Sequence, residues 1–311
     1  MTTRILVTPR SMTSTALDAV PELAPLRERG WELVSGPPGR TPSTSELMEL
    51  LPGIDGWICG IETVSAEALA AADRLRVIAR NGVGADAVDV VAAEARGIRV
   101  VLARGANSRG VAELTLALML SALRDIPASD RILHDGGWDR HLGRELADCV
   151  VGVVGFGAIG RLVAQFAMAL GARVLAADPF ATIDSPGVEP AGLEELFATC
   201  DVVTLHSPPP LGGSPLIGAA ALAMMPRGTV LVNTARSALI DPPAVLEALA
   251  TGHLSAYAVD AFDQEPPLLD GVLSHPRTIM TPHLGGFTAA SVRRATSQAV
   301  ANVVEALSGE R

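Results

Sequence analysis

The sequence predicts an α/β protein made of two Rossmann/flavodoxin-like parallel-sheet domains, one inserted into the other. Three observations carry this. Short apolar runs alternate with helical stretches through the first hundred residues, and a second such series starts near residue 104. A glycine-rich strand–turn–helix lies at mid-chain instead of near the start, so one α/β unit precedes it. The 311 residues are 49% apolar and 19% charged, enough for two buried cores.

The elements follow in order. Residues 5–8 read as a strand, and 14–29 carry helical periodicity up to Gly30. Residues 31–34 and 56–59 are further strands, and 65–72 a helix opened by Ser65 with Glu67 in its first turn. The strand 77–79 runs into Asn81-Gly82-Val83-Gly84. A helix over 89–96 stops at Gly97, and 98–102 is a strand. In the second series a long helix over about 110–124 leads into a polar arm through His134 and Trp138. Apolar strand candidates then recur at 149–154, 173–177, 202–205, 230–233, 256–259 and 278–280. Pro208, Pro209 and Pro210 make a stiff loop, and 289–307 is a helix with apolar residues at 292, 295, 299, 303 and 307. The expected division is a domain of 1–103 with 287–311, and a second domain of 104–286.

Charge and composition exclude several classes. The formal net charge is −10, which argues against nucleic acid and against an anionic membrane surface. All 24 cations are Arg. No Schiff-base lysine, Walker-A lysine or Tyr–Lys catalytic pair can therefore operate. Cys59, Cys149 and Cys200 are far apart, so neither a zinc cage nor a disulfide framework is expected, and the cytoplasm is the default compartment. Residues 1–8 show no secretory pattern, and the longest apolar stretch, 114–123, is too short to span a bilayer.

Gly155-Phe156-Gly157-Ala158-Ile159-Gly160 fits G-x-G-x-x-G, with a strand before it and a helix after it. Gly155 suits the tight turn, Gly157 the approach of a pyrophosphate, and Gly160 close helix–strand packing. The next strand ends at Asp178-Pro179, eighteen residues past Gly160. A carboxylate there accepts from both ribose hydroxyls and repels a 2′-phosphate, which favours NAD over NADP.

A nicotinamide cofactor leaves the protein to supply a proton donor and a substrate anchor. Of six histidines, His134 and His141 lie in the polar arm, His253 follows a helix and His275 precedes a proline. His206 and His283 follow strands of the cofactor domain. Arg236 stands just past the strand at 230–233, Glu265 past 256–259 and His283 past 278–280, so the three should converge.

Together, 232–236 (Val-Asn-Thr-Ala-Arg), 259–266 (Val-Asp-Ala-Phe-Asp-Gln-Glu-Pro) and 281–286 (Thr-Pro-His-Leu-Gly-Gly) resemble the D-2-hydroxyacid dehydrogenase family. Supporting matches are Arg80 to Asp86, Asn107 with Val111-Ala112-Glu113-Leu114, and Leu205-His206-Ser207-Pro208. The resemblance covers nearly the whole chain and comes nearest to phosphoglycerate dehydrogenase-like members, without the C-terminal regulatory domain often fused to them. It implies His283 as the acid/base, Glu265 as its partner carboxylate favouring the imidazolium, and Arg236 as the group that binds the 2-oxo acid. It implies substrate contacts from Asn81, Gly82, Val83 and Gly84. Cofactor contacts would come from the fingerprint, Asp178, Pro179, His206, Ser207, Pro208, Thr234, Ala235, Arg236, Asp260, His283, Gly285 and Gly286. It implies a homodimer through the 110–146 helix and arm.

Two features depart from the family pattern. Ser237 stands where the family usually has Gly. Glu62 stands in the loop after 56–59, where phosphoglycerate dehydrogenases commonly place a phosphate-binding Arg, so an unphosphorylated 2-oxo acid is expected. The alternatives are a short phosphoglycerate dehydrogenase, a relative acting on a phosphonate-like acid, or, in a different class, an NAD-sensing corepressor-like interaction protein.

Overall fold

The computed structural model describes residues 2–209 and 212–309, so Pro210 of the triple-proline loop lies outside the described residues. The chain forms two compact units, Met1–Asn107 with Ala289–Arg311, and Ser108–Thr288. Unit 1 holds β1 (Arg4–Val7), β2 (Glu32–Ser35), β3 (Gly56–Cys59), β4 (Val77–Arg80) and β5 (Arg99–Leu102) in the order β2-β1-β3-β4-β5, all parallel. Unit 2 holds β6 (Val150–Val154), β7 (Arg173–Ala177), β8 (Val188–Pro190), β9 (Val202–Leu205), β10 (Thr229–Asn233), β11 (Leu254–Val259) and β12 (Thr278–Met280). Their order is β12-β11-β10-β9-β6-β7-β8, again parallel throughout. The strand order reverses between β6 and β9, which is where α/β sheets open a crevice beyond their strand ends.

Continuous apolar strands form because both sheet faces are covered. Val151 and Val153 of β6 pack against Val163, Ala164 and Ala167 of the helix Ala158–Ala169. Val154, Val203 and Leu231 face Leu196 and Leu222 on the other side. Gly152 lacks a side chain where a Cβ would stand 2.6 Å from Leu196, so the helix Leu193–Thr199 can lie close. The helix Ala289–Ser308 completes unit 1: Ala299, Val300, Val303 and Ala306 pack on Ile5, Val7, Ile58 and Val77. Cys59, Cys149 and Cys200 are buried and unpaired; burial pushes the Cys59 and Cys200 thiols up to about 12.

The periodic stretch 14–29 is not one helix. It breaks into the turns Leu17–Ala19 and Pro21–Leu23 and the short helix Ala24–Arg27. Pro21 and Pro25 lack the N–H that a continuous helix needs. The polar arm after the long helix Ser108–Leu123 contains a second helix, Ile126–His134, entered through Asp125 in the left-handed region. Among the described residues no helix is long and apolar enough to cross a membrane.

Candidate active site

β6 ends in Gly155, at φ +92°, packed so tightly on His206 that a Cβ would stand 2.6 Å from the His206 carbonyl carbon. A Cβ on Gly160 would lie 2.0 Å from the Gly155 carbonyl oxygen, so only glycine lets the helix Ala158–Ala169 start there. Gly157 differs: a Cβ would meet nothing within 4 Å. Its backbone faces open space, and no side chain caps the helix. The uncapped N–H groups and the positive dipole end are what a pyrophosphate requires.

Asp178 follows β7. Its Oδ2 accepts from Phe156 N–H at 2.7 Å, and its Oδ1 from Phe180 and Ala181 N–H at 2.8 and 3.0 Å. Burial works to raise its pKa, but the three donors outweigh it and hold the carboxyl below its ordinary range. Three of about four lone-pair sites are thereby filled. One ribose hydroxyl can be met at full strength, not the two expected from the motif. With that adjustment, the residues present fit an NAD-type dinucleotide.

The two strand-end histidines differ in kind. The His206 ring nitrogen Nε2 pairs with Thr204 Oγ1 at 2.9 Å, while Nδ1 is sealed and meets no partner among the described residues. Burial lowers its pKa to about 3, so the ring is neutral near pH 7. His283 is half exposed, and its Nδ1 lies 2.6 Å from Glu265 Oε1. Such a ring presents its other nitrogen, Nε2, to a ligand. His134 and His141 are exposed beside carboxylates, and His253 Nε2 bonds the Leu222 carbonyl.

His283 sits at φ +52° in a turn wired by Asp260, which is 2% exposed. Asp260 accepts from Thr281 Oγ1 at 2.5 Å, Leu284 N–H at 2.7 Å and Gly285 N–H at 2.8 Å. Sequence reasoning took Asp260 only as a cofactor contact. Its buried carboxylate shapes the turn that carries His283, and about one lone-pair site remains for anything else.

Arg236 begins the turn after β10; its carbonyl accepts from Asn233 Nδ2 at 2.8 Å, and its Nη1 donates to the Ala235 carbonyl at 2.7 Å. Thr234 Oγ1 pairs with Thr115 Oγ1 at 2.9 Å. Ser237 has a definite partner: its hydroxyl donates to Asp263. That bond ties the Arg236 turn to the segment bearing Glu265, a link that sequence reasoning missed because it joins two loops 26 residues apart.

In unit 1, β4 runs into Asn81–Gly84. Asn81 N–H donates to the Cys59 carbonyl at 2.9 Å, and Ala103 N–H to the Gly82 carbonyl at 2.9 Å. The Arg80 guanidinium lies over Gly82, close enough that a Cβ there would meet Nη1 at 3.1 Å. Glu62 does not stand as a surface charge. It is 2% exposed, accepts from Gly60 N–H at 2.9 Å, and takes the Thr8 hydroxyl, to which Trp57 Nε1 donates at 2.8 Å. The expectation that Glu62 confronts a ligand phosphate is therefore corrected. The exposed side chains of that loop are Ile61, at 58%, and Thr63.

Residues 116–285 match the family described as D-isomer specific 2-hydroxyacid dehydrogenase, NAD binding domain. The chain belongs to this family, and that region is its NAD-binding domain. D-3-phosphoglycerate dehydrogenase of Mycobacterium tuberculosis is 40% identical over 275 residues, 86% of this chain and 52% of that protein. The chain thus spans about half the length of that relative. Hydroxypyruvate reductase of Thermotoga maritima is 35% identical over 268 residues, covering 84% of this chain and 88% of that protein. A crystallised protein of Thermus thermophilus superposes with a TM-score of 0.86 at 36% identity, over 98% of this chain and 97% of that one.

Proposed function

We propose that the protein is an NAD-dependent dehydrogenase interconverting a 2-oxo acid and a D-2-hydroxy acid. The observation that carries this is the 2.6 Å contact between His283 Nδ1 and Glu265 Oε1, with the Ser237–Asp263 bond tying the Arg236 turn to the Glu265 segment. Bound NAD supplies hydride acceptance and return. His283 gives its Nε2 proton to the carbonyl oxygen on reduction and takes it back on oxidation. Glu265 orients the ring by occupying its Nδ1. Arg236 holds the substrate carboxylate and stabilises charge growing on the carbonyl oxygen. The backbone N–H groups of Gly82, Val83 and Gly84, with Asn81, are the substrate elements of unit 1. Residues 1–103 with 287–311 serve substrate binding, and 104–286 the cofactor.

The inward turn of Glu62 and the position of Arg80 favour a second reading, in which the substrate carries a phosphate. One assay separates the two: NADH oxidation with 2-oxo acids with and without a phosphate group. Preference for the phosphorylated acid selects the second reading. No turnover with any 2-oxo acid removes both and leaves an NAD-sensing interaction protein.

The protein acts as a cytoplasmic homodimer in this reading. The arm of unit 2 exposes Trp138 at 83% and Leu142 fully, surface that a second copy would cover. Sedimentation of the protein and of a Trp138→Glu, Leu142→Glu variant tests it; a monomeric parent refutes it.

A further inference from the structure

Unit 1 contains an open hollow of about 780 Å³ between the segment after β5 and the first turns of the helix Ala289–Ser308. Arg104, Arg293 and Arg294 line it, with Glu22, Ser297 and Gln298. Three cations face one carboxylate in a chain of net charge −10. Arg294 is fixed in place: its Nε donates to the Ala106 carbonyl at 2.8 Å and its Nη2 to Ser291 Oγ at 3.1 Å. Beneath it Ala103, Ala106 and Ala295 form a small apolar cluster, and their size lets the helix lie close to the 103–106 segment. Arg104 and Arg293 are exposed and make no hydrogen bond or ion pair with a described residue. Like charges gathered around one concavity repel, and an anion with several acceptor oxygens relieves that repulsion. The forked donors of arginine match phosphate geometry.

We propose that this hollow binds a phosphorylated, hydroxyl-bearing small molecule, distinct from the 2-oxo acid substrate. The phosphate sits among the three arginines, and Glu22, Ser297 and Gln298 take the hydroxyl groups. None of the hollow's lining residues belongs to the proposed substrate loop Asn81–Gly84. Both chain connections between the units adjoin it: Ala106 precedes the exit at Asn107, and Ala290 follows the return at Ala289. A ligand bridging Arg104 to Arg293 therefore ties the segment after β5 to the first turns of the helix Ala289–Ser308.

Calorimetric titration with sn-glycerol 3-phosphate, with NAD saturating so that the dinucleotide loop is filled, tests this. One saturable site per chain is expected, with none for glycerol. The double variant Arg104→Ala, Arg293→Ala should weaken binding tenfold or more while keeping the KM for the 2-oxo acid and for NAD. Ser297→Glu, which places an anion in the hollow, should abolish binding. Arg140→Ala, an exposed cation of unit 2, should change nothing. The proposal is overturned by absent saturable binding, by unchanged affinity in the double variant, or by simple competition with the 2-oxo acid, which would move the ligand to the substrate site.

Discussion

Glu265 Oε1 lies 2.6 Å from His283 Nδ1, and both side chains remain about half exposed. The carboxylate occupies one ring nitrogen and leaves the other for chemistry. The histidine's backbone is set separately, by Asp260 acting on its two following N–H groups. Orientation of the ring and placement of the turn are thus controlled by different carboxylates.

Replacing the histidine should remove the proton donor without moving the turn. His283→Asn keeps a residue that tolerates φ +52°. It should lower kcat for reduction by about 10²–10⁴-fold, with NADH affinity nearly unchanged by fluorescence titration. Glu265→Gln should be milder than the histidine change. A near-parent kcat in His283→Asn would place the proton donor elsewhere.

Cofactor choice should follow Asp178. NAD should exceed NADP in kcat/KM by about 10-fold or more, since a lost hydrogen bond with added repulsion exceeds about 1.4 kcal/mol. Asp178→Ala should narrow the ratio. It should also reduce stability by about 1–3 kcal/mol, because the Phe156, Phe180 and Ala181 N–H groups lose their acceptor. Equal use of both cofactors by the parent rules out this role.

Glu62→Arg should unfold unit 1 instead of switching substrate. A buried guanidinium beside Thr8 and Trp57 would lack its partners, a loss of about 3–5 kcal/mol, or roughly 6–20 °C in Tm. Glu62→Gln should retain much of the network and melt closer to the parent. A folded Glu62→Arg protein with a raised preference for phosphorylated acids would restore the surface role.

Ser237→Ala should loosen the Arg236 turn from the Glu265 segment. The expected loss in kcat/KM is about 3–10-fold, the worth of roughly one ordinary hydrogen bond, with little change in Tm. Asp263→Asn should give a similar loss, and the double variant should lose no more than either alone. Additive losses would show that the two side chains act independently.

Stability should fall on acidification through His206. Above pH 6.5 neither folded nor unfolded chain protonates this ring. Below it the unfolded chain binds a proton that the folded chain refuses until about pH 3. Between pH 6.5 and 5 the cost is about 2 kcal/mol. His206→Asn should show a shallower decline by that amount in urea unfolding, and equal slopes would contradict the buried neutral ring.

Much of the architecture was readable because its signals are local. Six strands of unit 2 are largely apolar, while the short β8, Val-Glu-Pro, carries no such signal and went unread; Gly155, Gly157 and Gly160 mark the turn after β6 without help from distant residues. Ser65 and Asp89 likewise announce the helices they cap. The helix Thr44–Leu50 went unread although Ser43 and Glu46 form a capping box. The positions of Arg236, Glu265 and His283 past the ends of β10, β11 and β12 were readable for the same local reason. What was not readable depends on where a side chain turns. Glu62 points into the core because Thr8, 54 residues earlier, offers it a hydroxyl, and Ser237 reaches Asp263 across a loop. No periodicity reports either contact.

The nested order of the chain has a consequence for synthesis. All five strands of unit 1 are made before residue 103, yet Ala299, Val300, Val303 and Ala306 must arrive to cover Ile5, Val7, Ile58 and Val77. At 5–20 residues per second, the half-covered sheet waits about 10–40 s on the ribosome while the inserted unit emerges. Unit 2 is contiguous and can close during that interval. The nascent first sheet is therefore the segment most exposed to chaperones and to misassembly, and moving the 289–308 helix ahead of β1 by circular permutation would shorten the wait.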